Sequence, residues 1–247
     1  MYLVVTRSFP PEVGGMQNLM WGLTNELSKH YMLKVFADRQ NNSQIFDETV
    51  SFSIVRVGGI KLLRKFRKAQ LINEFIKENK IEGIIADHWK SLELIKTDKK
   101  KICLIHSKEI NHEKRSSLNK RVLDVLNNVD KVVANSKFTK NLAIQCGVDE
   151  NRIIVINPGV NIAEELNKKT LDKVENLLKN KTQRLITVSR YDKRKNHEKV
   201  IMALRNLKQI YPNIVYICIG NGNEKENIEK LVDELDLKEQ VMFFKDI

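Results

Sequence analysis

Short apolar runs alternate with segments of helical period along nearly the whole 247-residue chain. No other feature restricts the fold as much. Residues 2–6, 33–37, 54–57, 83–87, 102–106, 131–135 and 153–156 are each four or five residues long and rich in Val, Ile and Leu. Runs of this kind suit strands buried on both faces of a parallel sheet. Between them, residues 16–30, 62–79 and 138–146 carry apolar side chains at helical spacing. Leu19, Leu23 and Leu27 form one stripe, and Leu63, Phe66, Ile72, Phe75 and Ile76 another. Gly147 closes the third helix as an expected left-handed C-cap. The alternation predicts an α/β, doubly wound parallel sheet with helices on both faces.

Asn157-Pro158-Gly159 interrupts the pattern, and residues 161–182 are polar enough for a partly helical connector. The alternation then restarts: strand 185–188, helix 197–211, strand 214–220, helix 223–236, strand 241–244. Two Rossmann-like domains are expected, residues 1–160 and residues 161–247. The second has three strands where such a sheet normally has five or six, so it reads as incomplete and the chain as a fragment.

Hydrophobic residues make up 42% of the chain, enough for a core, and the formal net charge is +12. Such a field favours anionic partners without choosing among them. Aromatic content is 6% and no basic stripe is interleaved with aromatics, so nucleic acid is not the expected partner. Three widely spaced cysteines, Cys103, Cys146 and Cys218, suggest neither a disulfide framework nor a zinc site, but buried thiols in a reducing compartment. No apolar run is long enough to span a membrane, and Arg7 breaks the first apolar stretch, against a signal peptide. A cytoplasmic protein is expected, with peripheral attachment to the inner face of the membrane left open.

Four places offer chemistry. The loop 9–15 (FPPEVGG) links the first strand to the first helix. There Gly14 and Gly15 would let backbone N–H groups approach a ligand at a helix N-terminus, unless the loop is only a flexible connector. His88 and His106 each end an apolar strand and would open onto the crevice of a doubly wound sheet; the competing role is structural hydrogen bonding. In the stretch LITVSRYDKRKNHEKV, a strand gives way to a loop carrying Arg190, Lys193, Arg194 and Lys195 just before a helix. That suits a phosphate, though a solvated basic turn is an equally ordinary outcome. Gly220-Asn221-Gly222 follows the next strand. Position 225 is Lys, so the dinucleotide fingerprint fails, but a glycine loop one strand from Arg190 and Lys195 would make a diphosphate pocket.

Two further features have plainer readings. Ser136 is expected to cap the helix that follows it. Lys61, Arg64, Lys65, Arg67 and Lys68 crowd the start of the second long helix, forming either a solvated charged face or a surface for anionic lipid. Neither His112-Glu113 nor His197-Glu198 is followed by the second His of a zinc-protease helix, so no metal site is expected.

Four blocks in order resemble glycosyltransferase family 4, retaining enzymes of the GT-B fold: FPPEVGGMQNLMWGLTNEL, VDKVVANSKFTKNLAIQCGVDENRIIVINPGVN, RLITVSRYDKRKNHEKVIMAL and VYICIGNGNEKENIEKLVDELDLKEQVMFF. The resemblance implies two facing Rossmann-like domains with a nucleotide-sugar between them. It assigns Arg190 and Lys195 to the donor diphosphate, Gly15 with Gly14 to the donor phosphate, and His106 to the neighbourhood of the transferred sugar. Gly220 and Gly222 join the donor pocket by their place beside the cation loop. Ser107 stands where the family often has Asp. The family's paired glutamates lie downstream of residues 241–244 and are absent here.

Sugar transfer from a nucleotide-sugar to an acceptor hydroxyl is therefore the expected activity, with retention. The acceptor would be a glycan or a lipid-linked group, and the donor a substrate, so neither a cofactor nor a metal is required. The rival is an inactive relative that serves as an anion- or membrane-binding module.

Overall fold

The computed structural model describes residues 1–160 and 167–245. The chain divides into two compact units, Met1–Ile162 and Ala163–Ile247.

In the first unit, seven strands form one sheet: β1 (Tyr2–Val5), β2 (Leu33–Asp38), β3 (Ser53–Val57), β4 (Gly83–Ala86), β5 (Lys100–Ile105), β6 (Lys131–Ala134) and β7 (Ile153–Val155). Their order is β3-β2-β1-β4-β5-β6-β7, with parallel pairing throughout. β1 is buried on both faces. Leu3 and Val5 join one apolar cluster with Phe36, Ile84 and Trp89, while Val4 joins the other with Phe9, Met20 and Val35. This is the packing that continuous apolar strands were expected to have.

Six helices connect the strands: α1 (Gly15–Ser28), α2 (Ser43–Asp47), α3 (Lys61–Glu78), α4 (Trp89–Leu92), α5 (Ser117–Leu126) and α6 (Lys137–Cys146). Ser136 caps α6 by accepting the Thr139 N–H, and Gly147 ends it at φ 105. Helices α2, α4 and α5 were not anticipated. The first two are short, and α5 buries Asn119 beside Val122 and Leu126, which hides its apolar stripe.

Two helix faces differ from expectation. In α1 the fully buried positions are Met20 and Thr24, with Leu19 and Leu23 only flanking the core. In α3 the buried residues are Lys68, Ala69 and Ile72, whereas Leu63 and Phe66 are 60% and 52% exposed. Lys68 is tolerated inside because its Nζ reaches the Thr6 carbonyl at 2.7 Å and the Asp38 carboxylate at 2.5 Å.

Among its described residues the second unit has three parallel strands, β8 (Arg184–Val188), β9 (Val215–Ile219) and β10 (Val241–Phe244), in the order β10-β9-β8. Helices α7 (Lys168–Leu177), α8 (His197–Ile210) and α9 (Lys225–Glu234) accompany them. α7 lies within the expected connector, of which residues 161–166 fall outside the described residues. Tyr216 and Cys218 of β9 enter the main core with Ile201, Leu204 and Ile228, and Val215 and Ile217 face a smaller cluster with Leu178. β8 is not the buried strand its composition suggested. Among the described residues it pairs with β9 alone, and Ile186 and Val188 are 61% and 71% exposed.

Candidate active site

In the first sheet the chain runs outward from β1 through β2 to β3 and returns to β4 on the other side of β1. The carboxyl ends of β1 and β4 therefore flank a topological switch point, where open α/β sheets bind ligands. Asp87, directly after β4, is 2% exposed. Its Oδ2 accepts the Thr6 hydroxyl at 2.7 Å and the Arg7 N–H at 2.9 Å, and its Oδ1 accepts the Ser91 hydroxyl at 2.9 Å. These bonds shape the turn that leaves β1.

His88 follows. Its Nδ1 accepts the Lys90 N–H at 2.9 Å and caps α4, which leaves Nε2 to carry the proton. Burial, reinforced by Arg7 and Lys90, pushes the imidazole pKa down to about 3, so the ring is neutral near pH 7. His106 follows β5. Its backbone N–H donates to the Glu109 carboxylate, and the Glu109 carbonyl accepts the Trp89 indole N–H at 2.8 Å. The His106 Nε2 is buried with no hydrogen-bond partner among the described residues. Ser107 then turns the backbone at φ 87. His88 and His106 share a cavity of about 400 Å³ with Arg7, Met16, Asp87 and Glu109. Both histidines thus open onto the crevice, as strand ends should.

Gly14 and Gly15 stand at the start of α1, whose N-terminus has no side-chain cap. A Cβ on Gly15 would meet nothing within 4 Å. The fold itself does not require glycine there, and the first N–H groups of a 14-residue helix stand open to an anion. The preceding loop is anchored by Arg56, whose guanidinium pairs with Asp47 at 2.7 Å and donates to the Pro10 carbonyl at 2.6 Å.

In the second unit the loop after β8 and the loop after β9 are joined through their backbones. Ser189 N–H donates to Ile219 O at 2.9 Å, Tyr191 N–H to Asn221 O at 2.9 Å, and Glu224 N–H to Tyr191 O at 3.2 Å. Gly220 (φ 141) and Gly222 (φ 159) make this approach possible. A Cβ on Gly220 would stand 2.1 Å from the Ser189 carbonyl oxygen, and one on Gly222 2.3 Å from that of Tyr191. Tyr191 is wholly buried, its hydroxyl on the Cys218 carbonyl at 3.0 Å, and burial raises its pKa to about 12. His197 is also buried at the head of α8, with Nε2 3.4 Å from Ser189 Oγ and its ring beside Tyr191. Between these anchors Arg190 and Lys195 are exposed, and neither side chain has an ion-pair or hydrogen-bond partner among the described residues. The glycine loop and the cation loop are therefore adjacent, as their places in the sequence suggested. A larger cavity near α8 and α9 is lined by Asp192, Glu198, Glu224 and Glu234 against Lys193 and Lys230, a poor match for a diphosphate, and Arg190, Lys195, Gly220 and Gly222 are not among its walls.

Among the described residues no group of three or more His, Cys, Asp or Glu side chains is arranged to hold a metal ion. The three cysteines are free and buried. Sequence reasoning missed Asp87, Arg7 and Glu109. A single acid or base after a strand looks like any loop residue until distant segments close around it.

Residues 13–164 match the family described as Glycosyltransferase Family 4, and residues 168–247 match Glycosyl transferases group 1. A curated relative is the GDP-mannose-dependent alpha-(1-6)-phosphatidylinositol monomannoside mannosyltransferase of Mycolicibacterium smegmatis. It is 21% identical over 257 residues, covering 99% of this chain and 67% of the relative. Among solved structures, Anabaena HepE in complex with UDP is similar with a TM-score of 0.78 at 18% identity, covering 100% of this chain and 69% of that one. A glycosyltransferase from Rickettsia africae is similar with a TM-score of 0.77 at 17% identity, covering 100% and 68%. The folds of both units are thus those of GT-B glycosyltransferases, and with the family pattern matched over more than half its length, the chain belongs to glycosyltransferase family 4.

Proposed function

We propose that this chain carries the binding elements for transfer of a sugar from a nucleoside-diphosphate sugar to an acceptor hydroxyl, with retention of the anomeric configuration. The observation that carries the reading is the pair of exposed, unpartnered cations, Arg190 and Lys195, on a loop fixed by Tyr191, His197 and the Gly220–Gly222 backbone. The names of its relatives agree in chemistry: one is GDP-mannose-dependent, and HepE has been solved with UDP-glucose.

In this reaction the bond between C1 of the sugar and the diphosphate oxygen breaks, and a bond from C1 to the acceptor oxygen forms. The acceptor proton passes to the departing phosphate. Negative charge grows on the diphosphate, where a guanidinium and an ammonium carried on the anchored loop stabilise it. The N–H groups at Gly15, beside Gly14, add donors for a donor phosphate, and His106, which lines the crevice cavity, is placed for the transferred sugar. Gly220 and Gly222 act indirectly, by allowing the cation loop to sit where it does. Same-face attack needs no protein nucleophile.

Arg190→Ala and Lys195→Ala test this with radiolabelled UDP-glucose and GDP-mannose in the full-length protein. Each should lower turnover about a hundredfold or more, with unchanged thermal unfolding because both side chains are exposed. Unchanged transfer in both variants would remove the diphosphate role. NMR of the product tests retention, since an inverted anomeric centre would refute it.

A further inference from the structure

The first turns of α3 expose four large apolar side chains close together. Ile60 is 70% exposed, Leu62 80%, Leu63 60% and Phe66 52%. Isolated apolar residues on a surface are ordinary, but a cluster beside charge marks an interaction site. Beside them lies a cavity of about 290 Å³ whose walls include Arg7, Lys61, Arg64, Lys65, Lys68 and Lys90. Its one acid, Asp38, is taken by Arg64 at 3.2 Å and Lys68 at 2.5 Å. Lys65 is 3.8 Å from Glu93, which Arg121 already holds at 2.6 and 2.9 Å. Arg7, Lys61 and Lys90 have no ion-pair partner among the described residues. Burial lowers the Lys90 pKa, and the charges of Arg7 and Arg121 lower it further. The cavity therefore holds more positive charge than its own carboxylate neutralises, and an anion would relieve the crowding.

We propose that this cavity binds the phosphate of an anionic lipid head group while Ile60, Leu62, Leu63 and Phe66 enter the acyl boundary of the bilayer. A soluble phosphate ester would account for the cations but not for the apolar side chains beside them. A phosphate carried on acyl chains accounts for both. Arg7 and Asp38 also line the cavity of His88 and His106, so a head group held here lies against the crevice wall. Resting on the proposed transfer reaction, this makes a phosphate-bearing lipid the acceptor class. The binding itself involves neither Arg190 nor Lys195.

Vesicle sedimentation of the full-length protein, without nucleotide-sugar, tests it. Vesicles of equal parts phosphatidylglycerol and phosphatidylcholine should bind, and phosphatidylcholine alone should bind far more weakly. Lys61→Gln with Lys65→Gln should weaken binding about twenty-five-fold, at about fivefold per cation. Leu62→Ser with Phe66→Ser should weaken it about tenfold or more. All four side chains are largely exposed, so thermal unfolding should be unchanged. Glycerol phosphate, titrated calorimetrically, separates the two sources of phosphate: the Leu62→Ser/Phe66→Ser variant should bind it as the parent does. Equal binding to both vesicle types, or vesicle binding indifferent to either pair of substitutions, overturns the proposal. So does glycerol phosphate binding in a protein that ignores the vesicles. Because no donor is present, lost vesicle binding with sugar transfer to a soluble acceptor intact would leave the proposed reaction standing.

Discussion

Thr6 and Asp87, 81 positions apart in sequence, are joined by a hydrogen bond of 2.7 Å from the Thr6 hydroxyl to Asp87 Oδ2. The bond ties the carboxyl ends of β1 and β4 together at the switch point of the sheet, and the Arg7 N–H and the Ser91 hydroxyl converge on the same carboxylate. Asp87→Ala would leave the Arg7 N–H and the Ser91 hydroxyl without their acceptor, while the Thr6 hydroxyl keeps the Ser8 carbonyl at 2.9 Å. Each unsatisfied group costs about 1–3 kcal/mol. The first unit should lose about 2 kcal/mol or more. Thr6→Val, which removes one donor to Asp87 and the acceptor of the Ser8 N–H at 3.0 Å, should lose about 1–2 kcal/mol. Both tryptophans, Trp21 and Trp89, belong to the first unit. Urea unfolding followed by tryptophan fluorescence therefore reads this unit alone, and a midpoint unchanged in Asp87→Ala would contradict the assignment.

His88 makes the first unit sensitive to acid. In the unfolded chain the imidazole takes its proton near its ordinary value of 6.5, and in the folded unit burial and the nearby Arg7 and Lys90 delay this to about 3. Between those values the unfolded state binds more protons, so stability is full above about pH 6.5 and falls as the pH drops towards 3. One group contributes at most about 1.4 kcal/mol per pH unit. His88→Asn keeps an acceptor for the Lys90 N–H and removes the titration. Its stability should depend less on pH across this window than that of the parent protein, measured by the same fluorescence at a series of pH values. Parallel curves for the two proteins would count against a neutral His88.

The strands were legible because each is a compact apolar run flanked by polar segments, and the helix termini because Ser136 and Gly147 have few other uses in such positions. Burial was less legible. The spacing of Leu63 and Phe66 is correct for a helix, but spacing does not say which turns of that helix the sheet covers. The covered face of α3 runs through Lys68, Ala69 and Ile72 instead. Asn119 obscured α5 in the same way. It is polar in sequence and buried in the fold because its side-chain amide donates to the Cys146 carbonyl at 3.2 Å. At the candidate site, Arg190, Lys195 and the two histidines stood out by charge and position. Asp87 did not, because its burial depends on Thr6, Arg7 and Ser91 arriving from elsewhere in the chain.

Arg56 should be the strongest single anchor of the loop that carries Gly14 and Gly15. Its side chain is 6% exposed, paired with Asp47, bonded to the Pro10 carbonyl and placed over the Phe9 ring at 5.5 Å. Removing one member of a buried ion pair costs about 3–5 kcal/mol, and the 20% exposure of Asp47 moderates this to about 2–3 kcal/mol. Arg56→Ala should lower the urea midpoint accordingly and speed proteolysis within residues 9–15. Arg56→Lys keeps the charge but loses the paired donors of the guanidinium, and should fall between the two. A loop as resistant to protease in Arg56→Ala as in the parent would show that other contacts hold it.

Glycines at the two loops should respond in opposite ways. Gly15 opens α1 with free space where a Cβ would go, and alanine is the better helix former. Gly15→Ala should therefore fold normally and gain up to about 1 kcal/mol, and any loss should appear in donor affinity alone, because a methyl group would fill the approach to the helix N–H groups. Gly220 has no such freedom. A Cβ there would overlap the Ser189 carbonyl oxygen at 2.1 Å, and φ 141 strains any other residue. Gly220→Ala should force the loops after β8 and β9 apart, lower the stability of the second unit by about 1–3 kcal/mol and displace Arg190 with its loop. Circular dichroism, nucleotide titration and limited proteolysis of the two variants separate these outcomes. If Gly15→Ala unfolds the first unit, or Gly220→Ala leaves the second as stable as before, the division between a glycine kept open for a ligand and one demanded by backbone packing fails.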